Sequence, residues 1–205
     1  MIQSTLEFLK DEVKAYLDSK VTPIPGQQSI VLSNVADKDG KWAIPENSIG
    51  ISLIHIEEER VFKEQKSLVR QLDGTFKTIN PEIKLNLYVL FTSNAGKQDD
   101  LDTGGELDYK TGLTQISNII EFFQGKNVFT NENAPNLYDK NPNIEKLVLD
   151  LYSHSFEELY NYWSVIGTAY LPSVLYKARV LRVQRDADQG SGSGITEFNF
   201  GTSNI

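Results

Sequence analysis

Side chains able to do chemistry gather at a few places in this sequence. Glu57-Glu58-Glu59-Arg60 sets three carboxylates before a guanidinium. In an extended chain alternate residues face opposite ways, so Glu57 and Glu59 point together and Glu58 away. Paired carboxylates serve glycoside hydrolysis, but no aromatic cleft motif accompanies these. A strand end whose acids meet basic groups on another subunit fits the residues better. Asp99-Asp100-Leu101-Asp102-Thr103-Gly104-Gly105-Glu106-Leu107-Asp108 offers hard oxygen ligands for calcium. Its spacing is not that of an EF-hand loop, so it reads as a solvated acidic loop. His55 sits among Leu53, Ile54 and Ile56 and reads as a satisfied, half-buried histidine; His154 reads as near the surface. These are the only 2 histidines, and nothing in the sequence brings them together or supplies a third strong metal ligand. With 0 cysteines, disulfides, thiolate nucleophiles and thiolate metal sites are excluded. Gly190–Gly194 sets serines between glycines but lacks the strand–turn–helix setting of a nucleophile elbow. No catalytic residue, metal site or cofactor is assigned, and the expectation is that the protein is not an enzyme.

The elements that would position these residues read as an α+β domain. Ile2, Leu6, Leu9, Val13 and Leu17 share one stripe, which predicts an amphipathic helix over 2–18. Thr22-Pro23-Ile24-Pro25-Gly26 ends it. Strands are predicted at Ser29–Val35, Ile49–Glu58 and Lys84–Thr92. In the second of these, Ile49, Ile51 and Leu53 face one side and Ile54 and Ile56 the other, as in a central strand covered on both faces. Leu72-Asp73-Gly74-Thr75 is a turn between two weak strand-like stretches. Residues 94–111 read as exposed loop. A second helix follows at about 109–124, with Leu113, Ile116, Ile120 and Phe123 inward and Gly125 as a left-handed cap. Asn127–Thr130 reads as a short strand, Asn131–Asn143 as loop, and Ile144–Tyr152 as a strand with Leu147, Leu149 and Leu151 on one side. Ser155-Phe156-Glu157-Glu158 is a capping box. The helix it opens runs to about Ile166 with Phe156, Leu159, Trp163 and Ile166 inward. A last strand covers Ser173–Gln184. The predicted architecture is a mixed, largely antiparallel sheet with about three packing helices. It occupies residues 1–185, and 186–205 form a flexible Gly/Ser-rich tail or arm. Within that arm Ile195–Phe200 alternates like a strand.

Charge narrows the partners. Asp and Glu number 28 against 20 Lys and Arg, a net charge of −8. Such a surface repels phosphate backbones and anionic lipid, so neither nucleic acid nor a membrane surface is expected. No apolar run approaches the ~20 residues of a spanning helix, so no direct membrane insertion is expected either. The acidic N-terminal region lacks the apolar core of a signal peptide. Tyr160, Tyr162, Trp163 and Tyr170 cluster late in the chain. Trp163 belongs to a helix stripe. The tyrosines exceed what that stripe needs, and such residues are enriched at protein contacts. Candidate assembly contacts are therefore Glu57, Glu59, Arg60, Tyr160, Tyr162 and Tyr170, with Phe198 and Phe200 of the tail.

Several runs, taken in order, resemble one family. They are Ser29-Ile30-Val31-Leu32-Ser33-Asn34, Ile51–Arg60 and Leu85–Phe91, then Ile119–Lys126, Ile144–Leu147, Ser155–Leu159, Tyr162-Trp163 and Tyr170–Lys177. The chain is similar over about residues 1–185 to the cap, or tail-terminator, proteins of phage-tail-like extracellular contractile injection systems. The resemblance implies a homohexameric ring on the distal end of the sheath and inner tube. There it ends polymerisation and stabilises the sheath. Its partners would be copies of itself and the sheath and tube subunits. It would assemble in the bacterial cytoplasm, within a particle that is released or anchored. The reading left beside it is a calcium- or carbohydrate-binding protein or hydrolase using Glu57, Glu59 and the 99–108 acids.

Overall fold

The computed structural model describes residues 1–20, 29–59, 68–70, 76–78, 83–96, 104–140, 144, 146–183 and 191–192. Helix α1 (Ile2–Ser19) opens the chain. Strands β1 (Ser29–Leu32) and β2 (Ser48–Glu58) follow. A hairpin of β3 (Leu68–Arg70) and β4 (Phe76–Thr78) precedes the long β5 (Ile83–Asn94). Helix α2 (Gly104–Gly125), β6 (Val128–Thr130), α3 (Pro135–Lys140) and β7 (Lys146–Tyr152) come next. Helix α4 (Phe156–Ile166), β8 (Ser173–Val183) and β9 (Ser191–Gly192) complete the order.

The principal sheet has six strands in the order β1-β2-β5-β8-β7-β6. Every pairing in it is antiparallel except β1 with β2, which is parallel. The predicted α+β class and mixed, largely antiparallel sheet are thus correct. Among the described residues there are four helices, the fourth being the short α3. Helix α3 falls in the stretch read as loop, because Pro135 acts as a first-turn residue, where a missing N–H costs nothing.

One face of the sheet carries α1, α2 and α3. Phe8, Leu9 and Val13 of α1 pack with Ile49, Ile51, Leu87, Val89 and Phe91 of the sheet and with Ile119, Phe122 and Phe123 of α2. Aromatic rings interlock there: Phe8 meets Phe129 edge-on at 5.3 Å, and Phe123 meets Tyr176 at 4.7 Å. The predicted α1 stripe omits Phe8, which is 1% exposed and among the largest fully buried side chains. The opposite face is smaller. Leu90, Leu171, Leu175 and Val35 pack there against Trp163 of α4.

Other expectations need correction. Helix α2 begins at Gly104, inside the stretch read as exposed loop; acids and paired glycines masked its start. Its inward residues are Ile116, Ile119, Phe122 and Phe123, while Leu113 and Ile120 are exposed. The helix sits rotated from the predicted stripe because two neighbours, α1 and the sheet, bury a wider arc of it. Gly125 does not take a left-handed conformation; that cap belongs to Gly167, at φ 72° after α4. Strand β2 carries a bulge between Leu53 and His55. Leu53 pairs with Val89 and Ile56 with Leu87, so Ile56 returns to the same face as Leu53. The far half of β2 is not covered on both sides: His55 and Ile56 are exposed. Leu151 is also exposed. Strand β9 lies in the stretch read as a free linker, yet pairs with β4, Gly192 opposite Phe76. Leu72–Thr75, read as a turn, lie outside the described residues, as do Ile195–Phe200. Among the described residues no helix is long and apolar enough to cross a membrane.

Candidate assembly surfaces

Glu57 and Glu59 stand on one face of β2's end, as alternation requires. Glu57 lies opposite Asn86 of β5. The Tyr88 hydroxyl donates to Glu57 Oε2 at 2.8 Å, and Lys177 Nζ donates to the same oxygen at 3.4 Å. Asn86 Nδ2 donates to Glu59 Oε2 at 3.1 Å. The Tyr88 hydroxyl, with Lys177 behind it, holds the Glu57 carboxyl below the usual carboxylate range. Burial, then Glu57, raises Tyr88. Burial opposes the Lys177 charge, but Tyr88 and Glu57 outweigh it and leave its pKa raised. Lys177 also rests over the Tyr88 ring, 5.5 Å from its centroid. Arg179 pairs with Asp150 on the same sheet at 2.6 Å. The acids of β2's end are therefore answered by tyrosine, asparagine and lysine of their own chain. A depressed, hydrogen-bonded carboxylate is a poor proton donor at neutral pH, which does not suit the acid of a hydrolytic pair. Arg60 lies outside the described residues.

The histidines do not meet, but two tyrosine rings link them. His55 packs on Tyr88 at 5.6 Å and Tyr88 meets Tyr152 edge-on at 5.2 Å. His154 lies 5.2 Å from Tyr152 and stacks on Tyr162 at 6.2 Å. Tyr162 meets Trp163, and Trp163 meets Tyr170 at 5.2 Å. A continuous run of rings thus crosses the sheet face from β2 to the loop before β8. His55 is exposed, not half-buried as expected, because the strand beyond the bulge projects past its cover. Among the described residues no group of three or more His, Asp or Glu is placed to hold a metal. Of the 99–108 acids, Asp99 to Asp102 lie outside the described residues, and Glu106 and Asp108 are on the first turns of α2.

Helix α4 is held at both ends. The Ser155 N–H donates to Glu158 Oε2 at 2.8 Å and the Glu158 N–H donates to Ser155 Oγ at 3.2 Å, the predicted capping box. Those bonds, backbone first, hold the Glu158 carboxyl low. The helix uses Trp163 as its buried anchor. Phe156, expected inward, is 93% exposed, and Tyr160 is 73% exposed. Tyr170, in the loop after the helix, is also exposed. Tyr162 turns inward instead. Burial raises its pKa, and its hydroxyl has no hydrogen-bond partner among the described residues. Between α4 and the 167–170 loop runs an open groove of about 650 Å³ with a mainly apolar lining. Phe198 and Phe200 lie outside the described residues.

A third surface is an edge. Strand β1 covers β2 only from Ser48 to Ile51, and the Ser33 N–H donates to the Ile51 carbonyl. Past that point no described strand pairs with β2 on its outer side. Sequence reasoning misses this edge, because nothing local tells how far one strand runs along another.

Fold and surface together define an α+β domain that presents an aromatic groove, a polar aromatic sheet face and a strand edge. Residues 4–197 match the family model of the Pvc16 N-terminal domain, and the chain belongs to that family. The match runs past the 1–185 boundary read from the sequence. Among solved structures the chain is similar to the PVC sheath/tube terminator of an extracellular contractile injection system in its extended state. The TM-score is 0.60 at 15% identity, covering 100% of this chain and 64% of that one. It is also similar to the tube-terminating cap of the anti-feeding prophage, with TM-score 0.54 at 12% identity over 96% of this chain and 59% of that one. At these identities the likeness is one of fold. The chain spans less than two thirds of the length of either structure. No curated protein matches it.

Proposed function

We propose that this chain is a tail terminator: a structural cap on the sheath and inner tube of a contractile injection particle. The observation that carries the reading is the fold match to a sheath/tube terminator along the whole of this chain, together with membership of the Pvc16 family. A tube subunit exposes the same docking surface at every new layer, so growth continues until something binds that surface without regenerating it. A homohexameric ring with two unlike faces does so. The open outer side of β2 supplies a place for the last layer's sheath arm to add as a strand, giving backbone bonds to both partners. In this reading the 1–185 domain forms the ring and 186–205 an arm. The particle assembles in the bacterial cytoplasm and is then released or anchored. No step of this work requires a turnover site.

Electron microscopy of particles assembled without this chain tests the reading. Over-long or unstable sheath–tube assemblies are expected. Particles of normal length and integrity overturn it.

A further inference from the structure

The groove beside α4 takes no part in the strand edge or the Glu57 cluster. Phe156, Leu159, Tyr160, Trp163, Ala169 and Tyr170 are its principal apolar walls. Phe156 at 93% and Tyr160 at 73% exposure are far more open than such side chains are inside a finished structure. Trp163 Nε1, at the groove's floor, is buried with no acceptor among the described residues. The open rings suit an apolar chain, and the Trp163 N–H suits a backbone carbonyl of that chain.

We propose that the groove receives the C-terminal segment Ile195–Phe200 of a second copy of this chain, with Phe198 and Phe200 against Phe156, Tyr160 and Tyr170. The segment carries two phenylalanines two residues apart, which an extended chain places on one side. It is tethered to the fold at β9, where Gly192 pairs with Phe76. That hairpin connects to the Ile83 end of β5, whereas the groove lies at the other end, where the loop enters β8 opposite Thr92. Strand β5 is 12 residues long, about 40 Å. Phe200 lies 200 − 192 = 8 residues beyond Gly192, a reach of at most about 29 Å. Measured from the Ile83 end, the segment stops short of its own chain's groove, which favours a neighbour's groove as the place it docks. Edge-to-face ring pairs add to the apolar area buried. Segment and groove are different surfaces of one chain, so the contact is head-to-tail and closes into a ring when the rotation permits. It needs only two copies and no tube, so it stands or falls apart from the terminator reading.

The sequence has 0 cysteines, so each introduced thiol reports one contact. Tyr160→Cys and Phe200→Cys are made in separate full-length chains, one bearing a size tag, then mixed at high concentration and mildly oxidised. The expected product is the mixed disulfide between tagged and untagged chains. Its yield should be about tenfold above a control pairing Phe200→Cys with Lys14→Cys, on α1 at the opposite face, since a held contact raises effective thiol concentration. A mixed-disulfide yield no greater than the control overturns the proposal. So does a Tyr160→Cys/Phe200→Cys chain that closes within itself as a fast-migrating monomer. If Tyr160→Cys melts early, Phe156→Cys takes its place under the same criteria.

Discussion

Glu57 carries its charge for structural reasons, and pH separates that role from an acid–base one. Its folded pKa is depressed, first by the Tyr88 hydroxyl and then by Lys177. A depressed carboxylate contributes stability that is present above the ordinary carboxylate pKa, about 4.3. That contribution is lost as pH falls through the folded value. Glu57→Gln is therefore expected to melt below the parent at neutral pH, with the difference closing in acid. The effect is small, because the pair is exposed and screened. Melting temperatures across the acidic range check it, and a difference that grows in acid would contradict the assigned partners. At the other end of the aromatic run, Ser155 accepts the Glu158 N–H. Ser155→Ala should cost about 1 kcal/mol in thermal or urea unfolding.

Elements set how these residues meet. Helix α4 ends on Gly167 at φ 72°, a conformation an L side chain adopts at a cost of about 1–2 kcal/mol. Gly167→Ala should lower stability by that amount in a urea titration with unchanged slope. It should also disturb the 168–170 side of the groove, which a weaker association of copies in light scattering would register. In β2 the bulge at Leu53/His55 returns Ile56 to the helix-bearing face, beside the open edge, where it is 43% exposed. A lysine there discourages strand addition without emptying the core. Ile56→Lys should leave the melting temperature within a degree or two and weaken sheath capture in pull-downs. Full capture would remove β2's edge from the docking account.

At the scale of the molecule, the sheet divides a large aromatic core under α1 and α2 from a small one under α4. Phe8 plugs the larger, fully buried against Phe129. Phe8→Ala is expected to cost about 3–5 kcal/mol and to shift the denaturant midpoint accordingly. The smaller core anchors a helix whose outer aromatics remain exposed, an arrangement that assembly, rather than folding, would complete. Size-exclusion chromatography with light scattering should find a ring of about six chains; a monomer at all concentrations would contradict the hexameric part of the proposal.

Local patterns determined much of this protein. Apolar periodicity places α1, β2, β5, β7 and β8, and the Ser155–Glu158 spacing places the start of α4, since such signals act between residues a few positions apart. The absence of cysteine and the negative charge are likewise properties of the string alone. Tertiary structure decided which side of each element is inside. Phe156 shares a helical stripe with Trp163, yet Trp163 packs into the small core with Leu159, Tyr162 and Ile166 beside it while Phe156 stays exposed. Leu113 and Ile120 lose their expected places because α2 rolls toward α1. The meeting of His55 with Tyr88, of Tyr88 with Tyr152, and of Glu57 with Lys177 depends on strands far apart in the chain taking one register. Register is a property of the whole sheet, set by which faces bury together, and no window of sequence contains it.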